Sequence, residues 1–309
     1  MENFSFNLDK SPPECPDISV ICINKNHANF LKENILSVLS QNFDNFEFII
    51  ADGGSTDSSL NLIAKHKFIR VLSGPDSSRI EGFRRALSAA RGRFVMITTS
   101  SDGYLSRDWF RAAAEHLKSN PETSLVFGAS VSMNAQGRLG SISYPLAFPF
   151  NKVPSKEDWP LLWLMNGIKG SYLPELNYCV RIELYRKLLE LNSEFAELNE
   201  IDPILKFHFE FNRLGYMPQY LPILANFGRT HENQMQFTKE HQETARLYKS
   251  AWKIYRIHIA LGRAECFLRD SHGSKLRKIR FSLITRIRLL MPSLPTLFSI
   301  LNRLVNKLA

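Results

Sequence analysis

The sequence predicts an α/β fold, in which a mainly parallel sheet is covered by helices and followed by a helical C-terminal region. Two observations support this prediction. Between residues 17 and 128, runs of β-branched and aromatic residues alternate with segments whose apolar residues recur at helical spacing. Glycine-rich or acidic turns follow several of these runs. Repeated β-α-β units form parallel sheets that bind ligands beyond the carboxyl ends of their strands, so these turns are the candidate sites.

The predicted strands are short apolar runs. They occupy residues 18–23, 46–51, 68–72, 94–98 and 125–127. Because most of their residues are apolar without strict alternation, we expect both faces of the sheet to be covered.

The predicted helices follow the strands. They occupy residues 30–41, 80–90, 107–118, 181–191 and 203–214, and a further helix ends at Lys65. We expect Ser55 or Thr56 to cap that further helix, with Asp57 in its first turn. After Glu240 the pattern is helical to the end of the chain, with interruptions near Pro292 and Pro295.

Length and composition indicate a globular protein. The 309 residues can bury one large core or two modest ones, and 44% hydrophobic with 22% charged residues excludes global disorder. The net charge of +9 suits a nucleotide, an anionic lipid surface or a nucleic acid as partner. The sequence has no recognisable nucleic-acid module and no aromatics interleaved on a basic face, so we expect no nucleic-acid partner.

The cysteines and the ends of the chain indicate a compartment. The four cysteines are far apart and lack CxxC spacing, which predicts neither a disulfide framework nor a zinc site and favours a reducing compartment. Residues 1–16 lack the apolar core of a signal peptide, and the uncharged stretch 289–302 is too short to span a bilayer. We therefore expect a cytoplasmic protein that is at most peripheral on the inner face of a membrane.

Three turns carry the candidate chemistry. The turn 52–57 begins with Asp52, whose carboxylate can accept hydrogen bonds from a base or a ribose. The turn 73–76 ends with Asp76 and leads to several arginines. In the turn 100–103, Asp102 offers the hard oxygen ligands that magnesium and manganese prefer. Taken alone, the turn 52–57 is equally compatible with a strand-to-helix turn that carries an N-cap, and Arg84 and Arg85 with a solvated helix face. A lone Asp in the turn 100–103 is weak evidence for a metal site, and its position in this series of turns strengthens it.

In their order and spacing over residues 18–105, these pieces resemble the first half of family 2 glycosyltransferases. These are inverting enzymes with a GT-A fold, a Rossmann-like nucleotide-sugar-binding domain. The pieces that match are 18–21 followed by Asn24, 35–41, 52–57, 73–76 with Glu81, and the acidic turn. The resemblance implies sugar transfer from a nucleotide-sugar donor, of UDP type, to a saccharide or lipid-linked acceptor in polysaccharide or glycoconjugate synthesis.

The resemblance also assigns residues. It implies that Asp52 contacts the base, Asp76 the nucleoside, and Asp102 a Mn²⁺ or Mg²⁺ ion. The donor-binding set that it implies is Asn24, Asp52, Asp76, Arg79, Arg84, Ser101, Asp102, Arg229 and His231. The chain departs from the family pattern because Ser100 replaces the first acid of the Asp-x-Asp motif and Arg84 replaces a frequent Asn. The first departure leaves metal dependence open.

The second half matches less closely. Asp202, or failing it Glu200, lies near where the family has its catalytic base, which would take the proton from the attacking acceptor hydroxyl. Acids at a helix N-terminus that only complement its dipole are an equal alternative. In the segment 228–234, Arg229 could stabilise the departing diphosphate, and His231 could contact it or complete the metal shell.

The chain divides into an N-terminal extension (1–16), a GT-A domain (17–235, with its donor half at 17–128 and acceptor half at 129–235) and a basic C-terminal region (236–309). In the C-terminal region, cations between Lys275 and Arg288 interleave with apolar residues at helical spacing. That pattern is typical of a helix on an anionic membrane surface, and equally of one packed on the domain or on a second subunit. A catalytically inactive nucleotide-sugar-binding or scaffold protein of the same fold is the alternative function.

Overall fold

The computed structural model describes residues 11–76, 79–143, 178–192, 203–214, 216 and 218–229. The strands are β1 (Ile18–Asn24), β2 (Phe46–Asp52), β3 (Ile69–Ser73), β4 (Phe94–Thr99), β5 (Gly103–Tyr104), β6 (Leu125–Met133), β7 (Leu139–Ser143), β8 (Tyr178–Arg181) and β9 (Gln219–Arg229). The helices are α1 (Ala28–Leu39), α2 (Ser59–Ile63), α3 (Arg79–Ala89), α4 (Trp109–Ser119), α5 (Ile182–Glu190) and α6 (Pro203–Arg213). The predicted α/β class is confirmed.

The first four strands form a parallel unit in the order β3-β2-β1-β4. The register pairs Ile23 of β1 with Ala51 of β2 and with Thr99 of β4, and it pairs Asn24 with Asp52. Since the strands are parallel, their carboxyl ends meet at one edge of the sheet. The turns that follow β1, β2, β3 and β4 are therefore neighbours in space.

The rest of the sheet is mixed. β8 lies between β4 and β6 and runs antiparallel to both, while β9 is parallel to β6 and also pairs with the two-residue strand β5. β7 pairs with β6 as an antiparallel hairpin partner. This arrangement brings the end of β9 to the turn after β4, so a late part of the chain reaches the edge formed by the early strands.

Helices cover both faces of the sheet. Ile21, Ile49 and Val95 pack on one face against α3, α5 and α6, whereas Val20 and Phe48 pack on the other against α1 and α4. All five of these strand residues are fully buried. Burial on both faces explains why the strands are almost continuously apolar in sequence.

Two local predictions were wrong. Helix α2 begins at Ser59 after an N-cap at Ser58, and neither Ser55 nor Thr56 caps it. The Ser55 hydroxyl instead donates to Asp52, while the Thr56 N–H donates to Asn26. The strand expected to end at residue 127 continues to Met133 because β6 pairs with β7 and β9 beyond that point.

Several other predictions fall outside the described residues. These are the N-terminal extension up to residue 10, the helical pattern after Glu240, and its membrane or subunit contact, which stay predictions. Cys15, Cys22 and Cys179 are free thiols, and the latter two are buried. Within the described parts of the chain, no helix has the length and apolar character needed to cross a membrane.

Candidate active site

Asp52, the last residue of β2, is fully buried and its carboxylate is used within the turn that follows. Its Oδ1 accepts hydrogen bonds from the N–H groups of Gly54 and Ser55 at 3.1 and 2.9 Å. Its Oδ2 accepts from the Ser55 hydroxyl at 2.6 Å and from Asn24 Nδ2 at 2.8 Å. Four donors fill the usual capacity of a carboxylate. Asp52 therefore orders the turn, and its contact with a base stays a prediction.

Two asparagines at the end of β1 complete this turn. Asn26 has a left-handed backbone with φ of 55°, and its Oδ1 accepts from the Thr56 N–H at 2.7 Å. Asn24 is 1% exposed, and its Oδ1 has no hydrogen-bond partner within the described part of the chain. An unsatisfied buried acceptor is costly. The Asn24 residue ends β1 and therefore lies at the carboxyl edge of the sheet.

Asp76 follows β3, and its side chain is only 4% exposed. Its Oδ1 lies 3.5 Å from Lys25 Nζ, and its Oδ2 lies 4.0 Å from Arg85 Nη2. The carboxylate packs directly on two glycines, because a Cβ at Gly53 would lie 2.5 Å from Oδ1 and one at Gly82 would lie 2.9 Å from Oδ2. These glycines provide the space that holds Asp76 beside the turn after β2.

The arginine that reaches this region is Arg85 and not the predicted Arg84. Arg85 Nη2 donates to the Asp52 carbonyl at 3.2 Å in addition to facing Asp76. Successive helical residues point about 100° apart, so Arg84 faces a separate pocket between α3, α5 and α6. This position does not support the donor contact predicted for Arg84, which stays a prediction. Arg79 is placed at the start of α3, and its contact with a donor stays a prediction.

The acidic turn after β4 holds Asp102 in a buried position, with 7% of the residue exposed. Its Oδ2 accepts from the Thr99 hydroxyl at 2.6 Å, and its Oδ1 accepts from the Arg229 N–H at 2.8 Å. Asn34 of α1 fixes the backbone of the turn by donating to the Thr99 and Asp102 carbonyls at 3.0 and 2.8 Å. Burial raises the pKa of Asp102 to about 6, although the Thr99 hydroxyl and Arg229 both lower it.

The raised pKa of Asp102 has a consequence for stability. The unfolded carboxyl ionises near pH 3.8, whereas the folded one keeps its proton to about pH 6. Between these values the folded state binds more protons, so this group's stabilising contribution, complete below pH 3.8, is lost as pH rises through 6. We expect Asp102→Asn, which removes the titration, to gain about 2 kcal/mol relative to the wild type between pH 4 and pH 7.

Urea denaturation of both proteins at pH 4 and pH 7 measures this difference. Other groups titrate equally in the two proteins. The difference in unfolding free energy between variant and wild type therefore changes from pH 4 to pH 7 only because of Asp102. A difference that stays constant between the two pH values would contradict the raised pKa.

Arg229, the last residue of β9, holds the acidic turn from the opposite side. Its side chain is 4% exposed, and the guanidinium donates to the Ser101 carbonyl at 3.2 Å and pairs with Glu33 of α1. It also lies over the rings of Phe30 and Phe227, at 5.0 and 5.5 Å from their centroids. This geometry favours a role in positioning Asp102. The predicted contact of Arg229 with a departing diphosphate stays a prediction.

Ser100, at the first position of the Asp-x-Asp motif, is built into the fold. It is 1% exposed, and its hydroxyl lies 3.0 Å from Nδ1 of His27. Ser101 is also buried, and its hydroxyl lies 3.2 Å from the Thr99 hydroxyl. Asp102 is therefore the carboxylate that this turn contributes.

The described residues contain no group of three or more His, Cys, Asp or Glu side chains that could hold a metal ion. A divalent cation that keeps several waters and takes its other ligands from phosphates needs only one or two protein carboxylates. Asp102 fits such an ion, because each of its oxygens accepts only one hydrogen bond. The other predicted metal ligand, His231, lies outside the described residues, as do Asp202 and Glu200.

Sequence reasoning missed Asn34 and Glu33, and among the arginines after Asp76 it assigned Arg84 and not Arg85 to the donor site. Asn34 had a usable signal, because it interrupts the apolar face formed by Leu31, Ile35 and Val38, and a buried polar residue needs partners. Glu33 and Arg85 are charged residues on helix surfaces, and nothing local distinguishes them from solvated neighbours.

Comparison with known proteins shows which sequences and structures this chain resembles. Residues 19–160 match the sequence model of "Glycosyl transferase family 2". An uncharacterized glycosyltransferase of Haemophilus influenzae is 26% identical over 258 residues, which cover 79% of this chain and 74% of the relative. The UDP-Glc:alpha-D-GlcNAc-diphosphoundecaprenol beta-1,3-glucosyltransferase WfgD of Escherichia coli is 25% identical over 139 residues, which cover 44% of this chain and 54% of WfgD.

The fold is also that of a solved structure. TarS 1–349 of S. aureus in complex with UDP-GlcNAc has a TM-score of 0.51 at 16% identity, and the likeness covers 92% of this chain and 75% of TarS 1–349. At this identity the likeness shows the fold alone. Residues 19–160 therefore resemble family 2 glycosyltransferases, and the described residues have a GT-A-like fold.

Proposed function

We propose that this protein transfers a sugar from a UDP-sugar donor to a saccharide or lipid-linked acceptor, with inversion, in polysaccharide or glycoconjugate synthesis. The observation that supports this most directly is the carboxyl edge of the parallel strands. There Asn24, Asp52, Asp76 and Asp102 follow or end four adjacent strands. The names of WfgD and of the TarS complex, which specify UDP-Glc and UDP-GlcNAc, are the reason for choosing UDP.

The nucleoside would bind at the ends of β1, β2 and β3. The buried Oδ1 of Asn24 can accept a hydrogen bond from a base N–H, and Asp52 keeps the turn and the Asn24 amide in place. Asp76, held between Gly53 and Gly82, can accept from the ribose or the base. In this assignment Asp52 orders the turn through its own hydrogen bonds, and Asn24 Oδ1, which has no partner within the described residues, receives the hydrogen bond from the donor.

The diphosphate would lie beside the acidic turn. Asp102 would hold Mn²⁺ or Mg²⁺ there, and such an ion neutralises the charge of the departing diphosphate. Arg229 and Asn34 keep the turn rigid, so the carboxylate needs little reorganisation to bind. We propose Asp202, with Glu200 as second choice, as the base that takes the proton from the acceptor hydroxyl.

A thermal-shift screen against UDP, GDP, CMP and dTDP, each with and without Mn²⁺, tests this function. We expect UDP to raise the melting temperature, and Mn²⁺ to increase that shift in the wild type but not in Asp102→Ala. Equal shifts with and without metal would remove the proposed role of Asp102 as a ligand. If none of the four nucleotides shifts the transition, the donor-binding proposal is overturned.

Gly53→Ala should weaken UDP binding by about tenfold, because its Cβ would displace the Asp76 carboxylate. That carboxylate would otherwise accept a charge-assisted hydrogen bond from the nucleoside of UDP. The distance from that Cβ to Asp76 Oδ1 would be 2.5 Å. Gly74→Ala is the matched control, because its Cβ would meet Arg85 Nη1 at an ordinary 3.5 Å. Isothermal titration with UDP measures both. Equal affinity of the two variants would exclude Asp76 from the nucleoside site.

The alternative function is a nucleotide-sugar-binding protein of the same fold without catalysis. The observation that favours it is Ser100, because a buried serine bonded to His27 replaces an acid of the metal motif. This alternative predicts UDP binding without UDP release from any UDP-sugar, and no effect of Asp202→Asn in the cell. Release of UDP from UDP-Glc or UDP-GlcNAc by the wild type and not by Asp202→Asn would rule it out.

A further inference from the structure

A cationic pocket lies on the helical face of the domain, apart from the acidic turns. It is a cavity of about 330 Å³ between α3, α5 and α6, within the range of volumes that small ligands occupy. Arg84, Arg186 and Lys206 line it together with Glu190, Leu87 and Leu189. Three cations and one carboxylate give the pocket an excess of positive charge, while the leucines supply an apolar wall.

Two of the cations are held in place by the ends of helices. Arg186 Nη2 donates to the carbonyls of Leu87 and Ala90, both at 2.9 Å, and Lys206 Nζ donates to the Leu189 carbonyl at 3.0 Å. Carbonyls at helix C-termini commonly accept such bonds, so helix capping explains these two residues in part. Capping does not explain why the third cation, Arg84, faces the same cavity.

Arg84 is the third cation of the pocket. It is exposed on α3, and it makes no hydrogen bond or ion pair with any residue in the described part of the chain. The pKa of Lys206 is lowered by burial and further by the charge of Arg84, with Glu210 acting in the opposite direction. Crowding of like charge around a cavity is relieved when an anion binds.

We infer that the cationic pocket binds a phosphate-bearing group, and that this group belongs to the acceptor. The assignment to the acceptor rests on the proposed function. It is motivated by the position of α6, which supplies Lys206 and begins at Pro203, the residue that follows the proposed base Asp202. Preorganised cations next to an apolar wall suit a phosphate ester or diphosphate joined to a sugar.

Isothermal titration with inorganic pyrophosphate tests the pocket, in the presence of saturating UDP so that the donor site is occupied. Arg84→Glu should weaken pyrophosphate binding about tenfold or more, since it removes one charge-assisted contact and adds a repulsion. Lys187→Glu is the matched control, because Lys187 is an exposed cation of α5 outside the pocket lining and the charge change is the same. UDP affinity should stay within about twofold in both variants.

A transfer assay separates an acceptor phosphate from free phosphate. It compares one sugar acceptor carrying a diphosphate with the same sugar lacking it, and Arg84→Glu should raise KM for the diphosphate form only. Equal pyrophosphate affinity in wild type, Arg84→Glu and Lys187→Glu overturns the pocket. Weakened pyrophosphate binding with unchanged KM for both acceptors overturns the acceptor assignment. If UDP does not bind at all, the proposed function fails, and the titration without UDP still tests the pocket.

Discussion

Asp102→Asn is expected to lower the rate of sugar transfer by about 10²–10³-fold, the loss seen when one electrostatic stabiliser is removed from an active site. Asp102 is the carboxylate of the acidic turn, and an amide in its place cannot hold a dication against the departing diphosphate. The same substitution should stabilise the fold above pH 6, because it removes a buried charge. Loss of activity with a gain in stability is typical of a residue retained for chemistry.

Steady-state release of UDP, measured with saturating Mn²⁺, gives the size of this effect. Asp108→Asn is the matched control: it makes the same chemical change six residues later, at an exposed aspartate that pairs with Arg111. We expect this control to keep its activity. A rate for Asp102→Asn within about threefold of the wild type would remove Asp102 from the mechanism.

Asp52→Ala is expected to destabilise the protein by about 3 kcal/mol, because it leaves buried donors without an acceptor. The affected donors include the Gly54 and Ser55 N–H groups and the Asn24 amide. Asp52→Asn should cost less, since the Asn24 amide can rotate and offer its unpaired Oδ1 to the new side-chain N–H group.

Urea denaturation measures both changes, and Asp44→Ala serves as the control at an exposed aspartate of the loop before β2. If Asp52→Ala is as stable as that control but fails to bind UDP, the turn does not depend on Asp52. Its role would then be direct contact with the base, as the family resemblance implies.

The sequence predicted the strands and helices that can be recognised from short, continuous runs of residues. The runs around Ile18 and Phe94 are strongly apolar and β-branched, and the helices that follow have clear spacing, so the parallel unit was predictable. β5 has only two residues, and β9 contains Pro222, which lacks an N–H, at a point where its pairing with β6 changes register. Such strands form because they pair with segments that are distant in the sequence, and no short window of sequence reveals this pairing.

The site was predictable to the same degree. Asp52, Asp76 and Asp102 were found because each follows a recognisable strand, and parallel strands bring such turns together. The contacts of Arg229 with Asp102 and Glu33 join residues far apart in the sequence. The choice between Arg84 and Arg85 depended on the rotation of α3 by one residue, which periodicity does not resolve.

The position of β8 has a consequence for how the domain unfolds. This four-residue strand is bonded to β4 on one side and β6 on the other, so among the described strands it is the one that joins the parallel unit to the rest of the sheet. When it detaches, two strand edges open at once, which invites pairing between molecules. We therefore expect amides of β4 and β6 to exchange with solvent in one cooperative opening, and a chain shortened before Tyr178 to aggregate.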